Sequence, residues 1–182
     1  MTSLTIHNAA APYAHEGAIT DFPRIAAAMA RANITLERWE ADAALLADAD
    51  DAAILAAYAS QVETLKARAG YRSEDVVRMT PDHPMRVALR QKFLSEHVHD
   101  DDEVRFFVEG SGLFCIHHKG AVYALTCTAG DLIVLPAGTR HWFDTGEQPL
   151  FTAIRLFISH EGWVARYTGE TIAEEMMAAG SL

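Results

Sequence analysis

Apolar residues recur at helical spacing in the first half of the chain. Residues 21–32 (DFPRIAAAMARA) begin with Asp21, a side chain suited to cap a helix, and carry Pro23 in the first turn. Residues 51–69 present one apolar face and are followed by Gly70, a natural stop. That face consists of Ile54, Leu55, Tyr58, Val62 and Leu65. The two patterns predict two helices.

Short apolar runs without helical periodicity predict β-strands. Residues 34–39 (ITLERW) and 75–79 (DVVRM) are candidates, and Pro81 and Pro84 then indicate a turn or a short helix. Between Phe93 and Ser159, Gly-containing turns separate the runs VRFFV, GLFCI, AVYAL, DLIVL and LFTAIRLFI. This spacing predicts an antiparallel sandwich or barrel rather than alternating strands and helices.

The length of 182 residues fits a single domain, and half of the residues are hydrophobic, enough for a buried core. We expect a helical part over about 1–90, a barrel over about 91–160 and a C-terminal tail over 161–182, with the N-terminal helices outside the barrel. Cys115 and Cys127 lie in apolar, strand-like runs without CxxC spacing. We therefore expect free core thiols rather than a disulfide or a catalytic cysteine.

The formal net charge of −10 is spread over short acidic clusters. Such a chain lacks the basic face that nucleic acid or an anionic membrane requires, although a local cationic pocket for a small anion is compatible with it. The N-terminal residues show no basic start followed by an apolar run, and no stretch approaches the roughly 20 apolar residues that span a bilayer. We expect a cytoplasmic protein with neither a nucleic-acid nor a membrane partner.

The segment SEHVHDDDEVR (95–105) carries the strongest chemical signal. His97 and His99 point to the same face of an extended strand, because side chains alternate with period two. A turn at the three aspartates, expected to be a solvated loop, brings Glu103 to the same side. Imidazoles suit late first-row divalent metals, and an added carboxylate suits iron in particular.

A second segment, GDLIVLPAGTRH (130–141), ends in a fourth candidate ligand, His141. A Pro-x-Gly turn can deliver this histidine across the barrel to the other three. Three His and one Glu leave up to two positions open on an octahedral metal, enough for a bidentate substrate. The other histidines have no partner at ligand spacing and are expected to be surface or satisfied polar residues; they are His7, His15, His83, His117, His118 and His160.

The two segments resemble the paired motifs of the cupin superfamily. They read His97-x-His99-x3-Glu103-x6-Gly110 and Gly130-x5-Pro136-x-Gly138-x2-His141. Gln91 stands where the first motif usually opens with Gly, and no Asn follows the last histidine at the usual spacing, which speaks against a generic storage-type cupin. Within the superfamily, FLSEHVHDDDEVRFFVEGSGLFCI, DLIVLPAGTRHWFD and the strand around Arg155 are similar to the acireductone dioxygenase family.

This resemblance implies a mainly β fold, the cupin-type double-stranded β-barrel or jelly roll. It also implies a dioxygenase that cleaves acireductone (1,2-dihydroxy-3-keto-5-methylthiopentene) with O2 in methionine salvage. Family enzymes hold one Fe(II) or Ni(II) at the four ligands. The iron form gives 2-keto-4-methylthiobutyrate and formate, whereas the nickel form gives methylthiopropionate, formate and carbon monoxide.

Two arginines are candidates for the catalytic machinery, because a guanidinium would neutralise an anionic oxygen of an enediolate substrate. Arg105 shares strand parity with Glu103, which places it on the metal side. Arg155 lies inside an otherwise apolar strand, TAIRLFI, where a charge is costly unless it is paired. A buried structural ion pair is an equally open interpretation of Arg155.

Four aromatic residues are candidates for an apolar wall around the methylthio tail: Phe93, Phe107, Phe143 and Trp163. The first two have the parity of the metal ligands, and Phe143 lies two residues past His141. Core packing is the alternative for each of the four. Glu96 has the opposite parity to its neighbour His97, which leaves it a supporting role beside the ligands.

Other function classes remain as alternatives. Another metal-dependent cupin, such as a zinc sugar-phosphate isomerase, needs several Lys or Arg at the barrel mouth, and the barrel segment has few. A small-molecule-binding or regulatory cupin is a further alternative; a regulator would carry a basic recognition helix, which neither front helix offers. We expect a monomer, because no heptad or exposed apolar helix face is evident.

Overall fold

The computed structural model describes residues 1–15, 17–41, 45–46, 48–159 and 163–180, with the backbone alone for residues 12–14. The helices are α1 (Phe22–Arg31), α2 (Asp51–Ala57), α3 (Ala59–Ala69), α4 (Arg86–Leu94) and α5 (Ile172–Ala178). The strands are β1 (Ser3–Asn8), β2 (Ala11–His15), β3 (Thr35–Arg38), β4 (Ser73–Met79), β5 (His97–Val98), β6 (Glu103–His118), β7 (Ala121–Thr128), β8 (Asp131–Leu135), β9 (His141–Asp144), β10 (Phe151–Phe157) and β11 (Arg166–Tyr167).

The long strand β6 belongs to both sheets of the barrel. One sheet has the order β11-β5-β9-β6-β7-β1-β2, and in the other β6 lies between β10 and β8, with β4 and β3 at the outer positions. All pairings along β6 are antiparallel. The predicted mainly β, cupin-type double-stranded barrel is confirmed.

The runs VRFFV and GLFCI, predicted as two strands, are one strand that bends at Gly110. This glycine has φ +71°, and a Cβ atom on it would overlap the backbone carbonyl of Leu150. The pairing of β6 with β10 also shifts register between Thr152 and Ala153. The bend lets a single strand cross from one sheet to the other, where a turn was expected.

The barrel encloses one hydrophobic core, and two further clusters lie on its outer faces. Helix α1 contributes Ile25, Ala28 and Met29 to the interior core. Helices α2 and α3 cover the outer face around Phe106. Helix α5 packs on the opposite outer face, against Trp142. The prediction of N-terminal helices outside the barrel is confirmed. Helix α1 also lies at the surface: it buries one face against the core, while Arg24, Ala27 and Arg31 on its other face are exposed.

Several boundaries differ from the sequence prediction. The strands predicted over 34–39 and 75–79 are confirmed as β3 and β4. The part expected to be helical also supplies β1 and β2 to the sheets, and the expected C-terminal tail contains β11 and α5. The helix predicted over 51–69 is interrupted at Tyr58, whose ring packs on Phe106 with centroids 4.6 Å apart. Both cysteines are free and buried, as predicted. In the described part of the chain, no helix has the length and apolar character needed to cross a membrane.

A buried polar cluster joins the N-terminus to β3 and β8, away from the metal ligands. The carboxylate of Asp131 is fully buried. It accepts hydrogen bonds from Thr2 Oγ1 (2.5 Å), the backbone N–H of Thr128 (2.9 Å) and Arg38 Nε (3.3 Å). Every polar atom around this carboxylate is a donor, so the cluster satisfies itself.

Candidate metal centre

Three neighbouring segments bring four ligand side chains together at one end of the barrel. His97 lies on the short strand β5, directly opposite His141 on β9. Glu103 opens β6 and pairs with Leu135 on β8. One nitrogen from each histidine and one carboxylate oxygen all lie within 4.8 Å of one another, and all four residues, which include His99, are buried.

The aspartate run between these ligands does not join the group, in agreement with the prediction. Asp102 accepts hydrogen bonds from the hydroxyl of Tyr71 and the backbone N–H of Ala137, both at 2.9 Å. Asp100 forms an ion pair with Arg166. These contacts hold the turn that carries Glu103 back to the two histidines.

Each histidine ligand is oriented by a backbone carbonyl. The Nδ1 atoms of His97, His99 and His141 lie 2.8, 3.1 and 2.8 Å from the carbonyl oxygens of Ser95, Val164 and Thr139 respectively. A carbonyl oxygen can only accept, so the proton of each neutral ring is on Nδ1 and the lone pair is on Nε2. The three Nε2 atoms are therefore the available metal ligands.

The short distances between acceptor atoms around Glu103 are unfavourable without a cation between them. Its Oε2 atom lies 2.9 Å from His141 Nε2 and 3.2 Å from His99 Nε2. Lone pairs on these atoms would repel one another unless protons or a metal ion lie between them. Ligand atoms that are each about 2.1 Å from one ion lie up to about 4.2 Å apart. The residues present thus fit a divalent metal after shifts of a few tenths of an ångström.

The pKa values of His97 and Glu103 favour the protonation states that metal ligation requires. Burial, together with the nearby imidazole of His141, lowers the pKa of His97 to about 4. Burial alone would lower the pKa of His99, but its hydrogen bond to Glu103 raises the value overall. Burial raises the pKa of Glu103, yet Arg105 and the two imidazoles hold it well below its usual range. The carboxylate is ionised and His97 is neutral at neutral pH, as metal ligation requires.

Arg105 lies beside the ligands, where strand parity predicted it. Its guanidinium donates to Glu103 Oε1 at 2.8 Å and stacks over the ring of Phe143, 4.3 Å from the centroid. The Nε–H is buried and has no hydrogen-bond partner among the described residues. An unpartnered donor on a buried cation is costly, so this atom is available to a ligand.

A cavity of about 500 Å³ opens over the ligands. Its described lining includes three of them (His97, His99 and Glu103), the basic residues Lys92, Arg105 and Arg155, and the aromatic residues Phe93, Phe143, Phe157 and Trp163. Three of the four aromatic candidates therefore face it. The indole Nε1 of Trp163 is a second buried donor without a partner in the described part of the chain.

Phe107 does not line this cavity. It is fully buried in the interior core, where its ring packs against Phe114, Phe143 and Phe151. Its parity is the one expected, but four residues along a strand carry it about 13 Å beyond Glu103. We therefore assign Phe107 to the core rather than to the pocket wall.

Arg155 is paired and also faces the cavity. Its Nε and terminal nitrogen donate to the two carboxylate oxygens of Asp75 at 2.8 and 2.5 Å. Both side chains line the cavity. The ion-pair interpretation and the site interpretation are thus compatible, because the pair itself forms part of the wall. Asp75 was missed because only the pairing of β10 with β4 brings it opposite Arg155.

Glu96 is more tightly held than the sequence indicated. Its buried carboxylate contacts His117 Nδ1 at 2.7 Å and accepts from Thr168 Oγ1 at 2.8 Å. His117 thus has a partner that its position in the sequence did not reveal. His160 lies outside the described residues.

Comparison with known proteins agrees with this geometry. Residues 4–165 match the sequence profile of the ARD/ARD' family. The chain belongs to this family. Among its relatives, the acireductone dioxygenase of Synechococcus sp. is 52% identical over 176 residues, which cover 96% of this chain and 97% of the relative. The acireductone dioxygenase of Parvibaculum lavamentivorans is 51% identical, covering 95% of this chain and 94% of the relative.

A solved ARD/ARD' structure extends the likeness to the fold. The acireductone dioxygenase from Bacillus anthracis, with a cadmium ion in its active centre, aligns with a TM-score of 0.79 at 31% sequence identity. The alignment covers 92% of this chain and 98% of that one. Membership of this enzyme family and the geometry of the four-ligand group thus agree.

Proposed function

We propose that this chain is an acireductone dioxygenase that holds one Fe(II) or Ni(II) with His97, His99, Glu103 and His141. The observation that carries the proposal is the convergence of three Nε2 lone pairs and one carboxylate oxygen beneath an open cavity. The ARD/ARD' membership and the names of the relatives support the substrate.

A bound divalent metal would supply the Lewis acid that orders an enediolate and readies its electron-rich carbons for O2. The protein supplies the surroundings. Arg105 presents a buried N–H that has no partner among the described residues and would hold an anionic oxygen of the substrate. Its link to Glu103 keeps the guanidinium beside the metal ligands. We assign it the role of charge neutralisation.

The rest of the cavity wall divides into polar and apolar parts. Arg155, held by Asp75, would place a second positive charge at the wall. Phe93, Phe143 and Trp163 would enclose the methylthio tail and exclude water from the reacting carbons. A chelating dianion with an apolar tail fits this combination of charge and aromatic surface.

The metal decides the products under this proposal. The iron form would yield 2-keto-4-methylthiobutyrate and formate for methionine salvage in the cytoplasm, and the nickel form methylthiopropionate, formate and carbon monoxide. The ligand set accepts both ions, since imidazole and carboxylate suit either. A sugar-phosphate isomerase is disfavoured, because two of the three basic residues at the cavity, Arg105 and Arg155, already have carboxylate partners.

The decisive experiment adds enzymatically generated acireductone to Fe(II)-loaded and Ni(II)-loaded protein under O2. Loss of substrate absorbance gives the rate, and formate, the keto acid and carbon monoxide are quantified as products. We expect rapid loss with both metals and different products for each. No acceleration with either metal would contradict the proposed activity, and an equally active His97→Ala variant would contradict the proposed site.

A further inference from the structure

Glu96 is a buried carboxylate directly before a metal ligand. Only about 1% of the residue is exposed, and both of its carboxylate oxygens have partners, His117 Nδ1 at 2.7 Å and Thr168 Oγ1 at 2.8 Å. Its backbone carbonyl also accepts from the N–H of Thr168 at 3.1 Å. Since a buried carboxylate is costly without partners, these three contacts hold the residue in one position.

That position determines the direction of a carbonyl that orients His97. The peptide group between Ser95 and Glu96 is planar, so fixing Glu96 also fixes the Ser95 carbonyl. This carbonyl accepts from His97 Nδ1 at 2.8 Å. The orientation of the His97 ring, and with it the direction of Nε2, therefore depends on a group that Glu96 holds in place.

His97 has special need of such support. It lies on β5, which has only two residues, whereas Glu103 opens the 16-residue strand β6. The ladder contacts of β5 are His97 with His141 on one side, and Val98 and His97 with Arg166 and Tyr167 on the other. So short a strand has few backbone hydrogen bonds to fix its register.

We propose that Glu96 is a positioning residue for His97: its carboxylate, held between His117 and Thr168, fixes the Ser95–Glu96 peptide and thereby aims the imidazole at the metal. The inference rests on the metal site of the proposed function, and on neither the substrate nor the reaction. Loss of the hydrogen-bond partner of a metal-ligating side chain commonly weakens metal affinity by about 10-fold to 100-fold.

The test measures metal affinity apart from fold stability. Glu96→Leu removes both side-chain contacts, whereas Glu96→Gln keeps an acceptor for His117 and an amide that the Thr168 hydroxyl can accept from. We expect the Zn(II) and Ni(II) dissociation constants, from competition with a chelator, to rise about 10-fold to 100-fold in Glu96→Leu. Glu96→Gln should restore most of the affinity.

A matched pair of threonine variants separates positioning from general stability. Thr168→Val removes one hydroxyl from the Glu96 carboxylate, and Thr2→Val removes one from the remote Asp131 carboxylate. Urea unfolding of the metal-free proteins should show similar losses for both. Only Thr168→Val should weaken metal binding. This pair also decides the matter if Glu96→Leu fails to fold.

Nuclear magnetic resonance of the zinc-loaded protein provides a direct readout. The His97 Nδ1–H resonance should exchange faster with water in Glu96→Leu, while that of His141, held by Thr139, should not change. A dissociation constant within two-fold of wild type in Glu96→Leu, or equal weakening by Thr168→Val and Thr2→Val, would overturn the inference alone. Wild-type protein that binds no metal would overturn the proposed site as well.

Discussion

Two buried carboxylates, Glu103 and Asp131, lie at different places in the same barrel and have opposite surroundings. Asp131 is enclosed by donors: a hydroxyl, a backbone N–H and the guanidinium of Arg38. Among the described residues, Glu103 has one such donor, Arg105. On its other side it meets the Nε2 atoms of two histidines whose ring protons face backbone carbonyls.

The difference separates a stabilising cluster from a binding cluster. Around Asp131 the donors match the acceptors, so the chain itself completes the network. Around Glu103 the described acceptors converge without enough donors, so the network is open to a cation from outside the chain. Burial alone does not identify a functional carboxylate; the balance of donors and acceptors around it does.

The largest expected effect comes from removing one metal-ligand side chain from the cluster around Glu103. In His141→Ala we expect metal affinity to fall by more than about 100-fold, which is the upper range for losing a residue that only hydrogen-bonds to a ligand. We expect acireductone turnover to fall to background. Chelator competition and the absorbance assay measure the two effects. Asp131→Asn should retain metal and turnover; comparable losses in both variants would break the distinction between the clusters.

The second effect concerns the cation beside each carboxylate. Arg105→Met keeps the length of the side chain but removes the buried N–H, and we expect kcat to fall about 10²-fold to 10³-fold. Arg38→Met makes the same change beside Asp131 and should leave kcat within two-fold of wild type. Steady-state kinetics at matched metal occupancy would show this, and full activity of Arg105→Met would refute the assigned role.

A third prediction tests the hydrogen-bonded cluster around Asp131. Asp131→Asn replaces an acceptor of four hydrogen bonds with a group that presents an N–H to at least one donor. We expect the free energy of unfolding to fall by about 1–3 kcal/mol, measured by urea denaturation of the metal-free protein. A stability equal to wild type would show that this network contributes little.

The smallest expected effect concerns the half-buried ion pair of Arg90 and Asp144, whose burial is intermediate between exposed pairs and the buried clusters. Burial raises the pKa of Asp144, but the bidentate contact with Arg90 and the N–H of Gly146 lower it overall. A lowered carboxyl pKa contributes stability above the ordinary value near 4, and this contribution disappears as the pH falls through the lowered pKa. Arg90→Leu should cost roughly 1 kcal/mol at pH 7 and less at pH 2. Urea unfolding at both pH values measures the difference, and an equal cost at both would contradict it.

Much of the site could be predicted because its signal is local. His97, His99 and Glu103 lie within seven residues, and the alternation of side chains along a strand places Arg105 on the same face. The same reasoning was wrong for Phe107, since parity identifies the face of a strand but not the depth along it. Phe107 lies four residues beyond Glu103 on the same face of β6, inside the core.

The parts that escaped prediction depend on contacts distant in sequence. Asp75 meets Arg155, and Glu96 meets Thr168, only through strand pairings that no single segment encodes. The N-terminal strand β1 was missed because its six residues resemble many short polar–apolar runs, and its partner β7 lies more than a hundred residues away. The packing of one face of α1 against the core is likewise set by tertiary contacts.

The spacing of the ligands along the chain has a consequence for the order of folding. His141 reaches the other three ligands only after the chain between Glu103 and His141 has paired β6 with β9. Closing this loop costs entropy before His141 can add its coordination bond. We therefore expect added metal to slow unfolding while leaving the refolding rate nearly unchanged. Full coordination would then form only after the barrel has folded.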